Sequence, residues 1–133
     1  MIYLLDVNAL LALGVVDHEF HHRMSSWLLK QPALKLATCS ITEIGFVRLA
    51  SQISAYGFTV AQAQSTLSKL KNARSTLFTF IADDHDASKL ASWVKRAKQI
   101  TDGHLVQLAA ANDAVLATLD EKIPGALLIP SAK

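Results

Sequence analysis

Five short apolar runs, separated by stretches of helical periodicity, constrain this chain more than any other feature. They cover residues 2–5, 34–38, 77–81, 114–118 and 127–129. Short runs that are apolar without alternation have the form of strands buried on both faces of a sheet. Parallel neighbours cannot be joined by a tight turn, so a helix fills each crossover. The pattern therefore predicts an α/β fold of three α/β/α layers, with a central, mainly parallel sheet of about five strands. With 133 residues, 51% of them hydrophobic, the chain can bury the core of one domain spanning 1–133.

The remaining composition excludes more than it identifies. A net charge of +2 with 18% charged residues sets up no strong global field that would demand a nucleic-acid or membrane partner. The single cysteine, Cys39, forms no internal disulfide and fits a reducing cytoplasm. The apolar N-terminus lacks a basic flank and carries Asp6 inside it, unlike a secretory signal. No apolar run approaches the length of a membrane span. A soluble cytoplasmic domain is expected.

The first run stops at Asp6, and a helical pattern follows at once. A carboxylate at the carboxyl end of a first strand points into the crevice where open α/β sheets hold ligands. It also makes a good helix N-cap, and a lone Asp would leave both readings open. Residues 18–30 place Phe20, Met24, Trp27 and Leu28 on one helical face. His18, His21 and His22 have metal-ligand spacing, but no Cys or Glu completes a set, so a solvated face is expected. Pro32 ends that helical region. Ser40-Ile41-Thr42-Glu43 before an apolar helix has the form of a capping box, with Glu43 bonding back to the Ser40 amide. Glu43 also sits just past a strand, as Asp6 does. Arg48 is the one charged side chain on that helix and either lies on a solvent edge or contacts a phosphate.

Thr59-x-x-Gln62 opens another helix, with Val60, Ala63, Leu67 and Leu70 predicted inward. Lys69, Lys71 and Arg74 near its end suit the helix dipole. The apolar surplus of 44–70, including Phe46, Ile53, Tyr56 and Phe58, fits either an interface or additional core. After the third strand, Asp83-Asp84-His85-Asp86 reads as cap and first-turn charge for a helix with Leu90, Trp93, Val94 and Ala97 inward. Thr101 and Asp102 open the last helix, where His104 is expected to be a hydrogen-bonded helix residue rather than a base. Thr118-Leu119-Asp120 again sets an acid just past a strand.

Asp6, Glu43, Asp102 and Asp120 thus come from four distant places, and a parallel sheet can bring all four to one crevice. Crowded carboxylates raise one another's pKa and favour a cation among them. Oxygen ligands without Cys or a His cluster select Mg²⁺ or Mn²⁺. Such an ion lowers the pKa of a bound water and neutralises charge on a phosphoryl oxygen during in-line displacement.

Asp6-Val7-Asn8 after the first strand, Ile41-Thr42-Glu43 leading to Gly45-Phe46-Val47-Arg48, Ile100-Thr101-Asp102 and Leu116-Ala117-Thr118-Leu119-Asp120 resemble the PIN domain. More narrowly, they look like the VapC-type ribonuclease toxins of bacterial toxin–antitoxin pairs, in order and spacing over essentially the whole chain. The resemblance puts Asp6, Glu43 and Asp102 on the family's core metal-binding acids and Asp120 on its more variable fourth. Asn8 and Thr118 match supporting polar positions. Gly103-His104, and Asn112-Asp113-Ala114 where a Gly-rich turn is common, depart from the pattern without touching a ligand. The resemblance implies Mg²⁺-dependent RNA cleavage with Mn²⁺ able to substitute, a homodimer, and inhibition by a small cognate VapB-like antitoxin.

A phosphoacceptor receiver is the competing reading, with Asp83 or Asp84 as the phosphorylated residue. Receivers carry an acidic pair after the first strand, where this chain has Asp6 alone. A nucleotide-binding module fits less well, because neither a GxGxxG nor a P-loop is present. A structural interaction domain, with every acid a cap, would bind no divalent metal.

Overall fold

A computed structural model of the chain describes residues 1–31, 33–73 and 77–132. The expectations for Pro32 and Arg74 fall outside the described residues. The regular elements are β1 (Ile2–Leu5), α1 (Val7–Gly14), α2 (His21–Leu29), β2 (Lys35–Cys39), α3 (Ser40–Gln52), α4 (Val60–Lys71), β3 (Leu77–Ile81), α5 (Ile100–Ala111), β4 (Ala114–Thr118) and β5 (Leu127–Leu128).

The strands form one sheet in the order β3-β2-β1-β4-β5, and every neighbouring pair is parallel. The pleat sends successive side chains to opposite faces, so each central strand feeds two cores. Leu5, Leu36 and Ala117 pack with Met24, Trp27, Phe46 and Leu67 under α1–α4. Leu4, Ala37 and Leu116 pack with Leu105 and Leu108 under α5. This is the three-layer arrangement predicted from the apolar runs. The chain leaves β1 toward β2 and β3, then crosses back to lay β4 on the other side of β1. The carboxyl ends of β1 and β4 therefore flank a topological switch point, the usual place for a ligand crevice. Here β3 lies at the sheet edge. A receiver's order is 2-1-3-4-5, with β3 beside β1, so the receiver reading does not fit.

Local expectations fail where tertiary contacts take over. No α-helix follows β3: residues 82–99 form an irregular strap with two short 3-10 turns, Ala87–Lys89 and Ala97–Gln99. Ala91 is buried, whereas Ala97, expected inward, is exposed. Asp86 caps the first 3-10 turn, its carboxylate accepting from the Ser88 amide. Gly103 of α5 lets the strap lie flat: a Cβ there would stand 2.2 Å from a Val94 methyl.

The capping box at α3 is shifted by one residue. Because β2 runs straight into the helix, Cys39 takes the cap position and the Thr42 hydroxyl accepts from the Cys39 amide at 3.0 Å. Glu43 is thereby left free of capping. The Thr59–Gln62 box forms as predicted, with reciprocal bonds of 2.8 and 3.1 Å. In α4, Ala63 and Leu67 are buried, but Val60 is exposed. Much of the apolar surplus between residues 44 and 70 is core: Phe46 is fully buried, and Ile53, Tyr56 and Phe58 pack half-buried against it. Ile44, 69% exposed, and Val60 are the exceptions. Among the described residues, no helix is long and apolar enough to cross a membrane.

Candidate active site

The carboxyl end of β1 hands the chain to α1 at Asp6, which caps that helix from the switch-point edge of the sheet. Its Oδ1 accepts from the Val7 amide at 2.8 Å and caps α1. Its Oδ2 accepts from the Thr118 hydroxyl at 2.8 Å, across the β1–β4 boundary. The same Thr118 hydroxyl accepts from the Asp120 amide at 3.0 Å, so one side chain ties the first acid to the loop carrying the last. Asn8 Oδ1 accepts from the Leu119 amide at 3.3 Å and secures that loop to α1. Asp120 itself is exposed, with Oδ1 accepting from the Lys122 amide.

Asp102 arrives from the first turn of α5 and is half-buried. Burial, together with the carboxylates of Asp6 and Asp120, pushes its carboxyl up to about 6. Burial also raises Asp6, and the Asp120 charge adds to it, while the bonds from Thr118 and Val7 pull the other way. Three of the predicted acids therefore lie within electrostatic reach of one another, and among the described residues no cation offsets the repulsion.

Glu43 stands apart from those three. Its Oε2 accepts from the Thr38 hydroxyl at 2.5 Å and from Lys71 Nζ at 2.6 Å. It projects from the first turn of α3, at the same carboxyl edge of the sheet, but it is not among the charges that raise Asp6 or Asp102. Lys71 also lies 5.6 Å from the centre of the Phe80 ring. The sequence assigned Lys71 to the α4 dipole. Nothing local signals a pairing across 28 residues, which exists only because α4 packs on α3.

Arg48 is exposed, and its guanidinium has no partner among the described residues. His104 Nε2 meets Asp83 Oδ2 at 2.6 Å, which fastens the strap to α5 and makes His104 the hydrogen-bonded helix residue expected. His21 Nδ1 meets the Ala12 carbonyl at 2.8 Å, so it serves the α1–α2 junction instead of a metal cluster.

An all-carboxylate donor set with uncompensated negative charge has the chemistry a hard divalent cation requires. As the side chains stand, no three His, Cys, Asp or Glu residues among those described come close enough together to hold one ion. Mutual repulsion opposes closer approach, and it is this term that a cation would cancel.

No family model matches the chain. Ribonuclease VapC44 of Mycobacterium tuberculosis is 39% identical over 127 residues, spanning 90% of this chain and 87% of the relative. The chain belongs to the VapC ribonuclease family. VapC38 from the same organism is 34% identical over 88% of this chain and 84% of its own length. VapC29, also from that organism, is 32% identical over 98% of both. Two solved structures share the fold at low identity. One is VapC20 of M. tuberculosis, described as a toxin that cleaves the sarcin-ricin loop, with a TM-score of 0.64 at 10% identity over 91% of this chain and 92% of that one. The other is VapBC2 of Rickettsia felis bound to promoter DNA, with a TM-score of 0.56 at 17% identity over 96% of both chains.

Proposed function

We propose that this VapC-family chain, residues 1–133 acting as one PIN-like domain, is a Mg²⁺-dependent endoribonuclease and the toxin of a toxin–antitoxin pair. Mn²⁺ substitutes for Mg²⁺ in this reading. Its cation site is built from Asp6, Asp102 and Asp120, with Glu43 as the further acid at the same sheet edge. The observation that carries the reading is the crowding of Asp6, Asp102 and Asp120 at the switch point between β1 and β4, where burial, and after it the charges of Asp6 and Asp120, push the Asp102 carboxyl up to about 6. Structural caps have no reason to be gathered against their own repulsion. A bound divalent cation supplies there an activated water and charge neutralisation at a phosphoryl oxygen.

The chain's own residues do the positioning. Thr118 fixes the Asp6 carboxylate and the Asp120 loop together, and Asn8 holds that loop to α1. The Thr38 hydroxyl and Lys71 hold Glu43, which must exchange Lys71 before its Oε2 is free for another cation. A VapB-like antitoxin, a homodimeric state and cytoplasmic action complete the proposal and rest on family membership.

The test is RNA cleavage by the purified chain with Mg²⁺ and with EDTA, alongside Asp6→Asn. Cleavage confined to Mg²⁺ or Mn²⁺ and lost in Asp6→Asn is expected. Undiminished cleavage in EDTA, or by Asp6→Asn, would overturn it.

A further inference from the structure

Beside the acids lies a groove of about 450 Å³ between α1, α3 and the start of α5. Its lining falls into two kinds. Val7, Ile41 and Ile44 are aliphatic, whereas Ser40 and Thr101 bring hydroxyls and Arg48 a guanidinium. None of these three polar side chains has a partner among the described residues. Three lining residues adjoin the acids in sequence: Val7 follows Asp6, Ile44 follows Glu43 and Thr101 precedes Asp102. No acid itself lines the groove, but three of its lining positions are chain neighbours of the acids, so its rim follows the acid-bearing turns. We propose that this groove is the subsite for one nucleotide of the RNA substrate, with Arg48 holding a phosphate next to the one that is cut.

The assignment rests on the ribonuclease reading and on the chemistry of the lining. A crevice of carboxylates repels a phosphodiester chain, and a fixed cation beside it helps to draw the chain in. Arg suits this better than Lys, because its planar fork can bond two phosphate oxygens at once. The volume lies within the range of single small-ligand sites. Ile44 leaves most of its surface in water, and a base laid on it would cover that surface. Ser40 and Thr101 offer a donor and an acceptor each to ribose hydroxyls. A purely apolar peptide would leave all three polar groups unpaired.

Fluorescence anisotropy of a labelled, mixed-sequence single-stranded oligoribonucleotide in EDTA, over a salt series, tests the proposal. Arg48→Ala should weaken binding about ten-fold at low salt and reduce the salt slope by about one phosphate contact. Arg48→Lys should restore the slope but only part of the affinity. Ile44→Ser should weaken binding about three-fold with the slope unchanged. Lys89→Ala, outside the groove, should match the wild-type chain. Amide shifts on adding adenosine 5′-monophosphate should cluster at Ser40–Gly45 and Thr101. Wild-type affinity in both Arg48→Ala and Ile44→Ser overturns the subsite, as do shifts clustered elsewhere. So does a loss in Arg48→Ala no larger than that in Lys89→Ala. Loss of a protein partner in Arg48→Ala with RNA affinity intact also overturns it and assigns the groove to that partner. Cleavage with Mg²⁺, read separately, distinguishes the two readings. Wild-type cleavage with unchanged Arg48→Ala binding removes the subsite alone. Groove-dependent binding without cleavage removes the ribonuclease reading and leaves a nucleotide site.

Discussion

Replacing Asp102 by Asn should stabilise the metal-free protein. The Asp102 carboxyl stands at about 6, raised by burial and by Asp6 and Asp120. In the unfolded chain an aspartate titrates near ~4, so ionisation is harder in the native state by up to about 3 kcal/mol. Asp102 is only half-buried, and solvent and salt screen its neighbours, which reduces the net penalty to about 1 kcal/mol. A raised native pKa means that the folded chain binds more protons than the unfolded one between these values. The Asp102 contribution therefore falls as pH rises from about 4 to about 6, and the full penalty persists above that. Asn keeps the shape and carries no charge. In EDTA at pH 7.5, Asp102→Asn should raise the melting temperature by about 3–5 °C, and near pH 4 the gain should vanish. Salt should shrink it. Mg²⁺ should reverse the order, because only the intact acid set gains binding energy. Thermal or urea unfolding with and without EDTA provides the readout. Destabilisation at pH 7.5, or a shift equal at both pH values, would refute the crowding argument.

The acids should rank in catalysis: Asp6→Asn abolishes Mg²⁺-dependent cleavage, whereas Asp120→Asn, at an exposed position, leaves residual activity. Full loss at Asp120 with none at Asp102 would invert the assignment. Because water is the nucleophile in the proposed route, end-group analysis should find a 5′-phosphate and a 3′-hydroxyl, and a single 2′-deoxy substitution at the cut should still permit cleavage. A 2′,3′-cyclic phosphate would exclude that route. Gly103→Ala should cost about 1–3 kcal/mol in urea unfolding, because the new methyl meets Val94 and lifts the strap from α5. Asp113 holds the left-handed turn before β4 at φ 55°, so Asp113→Gly should raise stability by about 0.5 kcal/mol; a loss would show that the Asp side chain matters there.

The layering was legible in the sequence because it is written in local periodicity. A run such as Ala-Val-Leu-Ala-Thr can be buried on both faces only as a strand between helices, whereas the run at 77–81, at the sheet edge, leaves Phe80 half exposed. An Asp placed directly after the first run can be a cap or a crevice group by position alone, and Asp6 caps α1 with its second oxygen on Thr118. The apolar spacing of residues 82–99 mimics a helix that does not form. The strap's actual contacts, Val94 over Gly103 and Asp83 on His104, come from α5. The shifted cap at Cys39 depends on how far β2 extends beside β1 and β3, which is a property of the sheet and not of Ser40–Glu43. Lys71 and Glu43 carry no mark of each other in the chain. Their pairing arises from the packing of α4 on α3, which leaves Glu43 on a lysine while Asp6, Asp102 and Asp120 stand within electrostatic reach of one another. Periodicity records which side of an element is buried; which charges then meet depends on how the elements cross, and only the folded chain sets that.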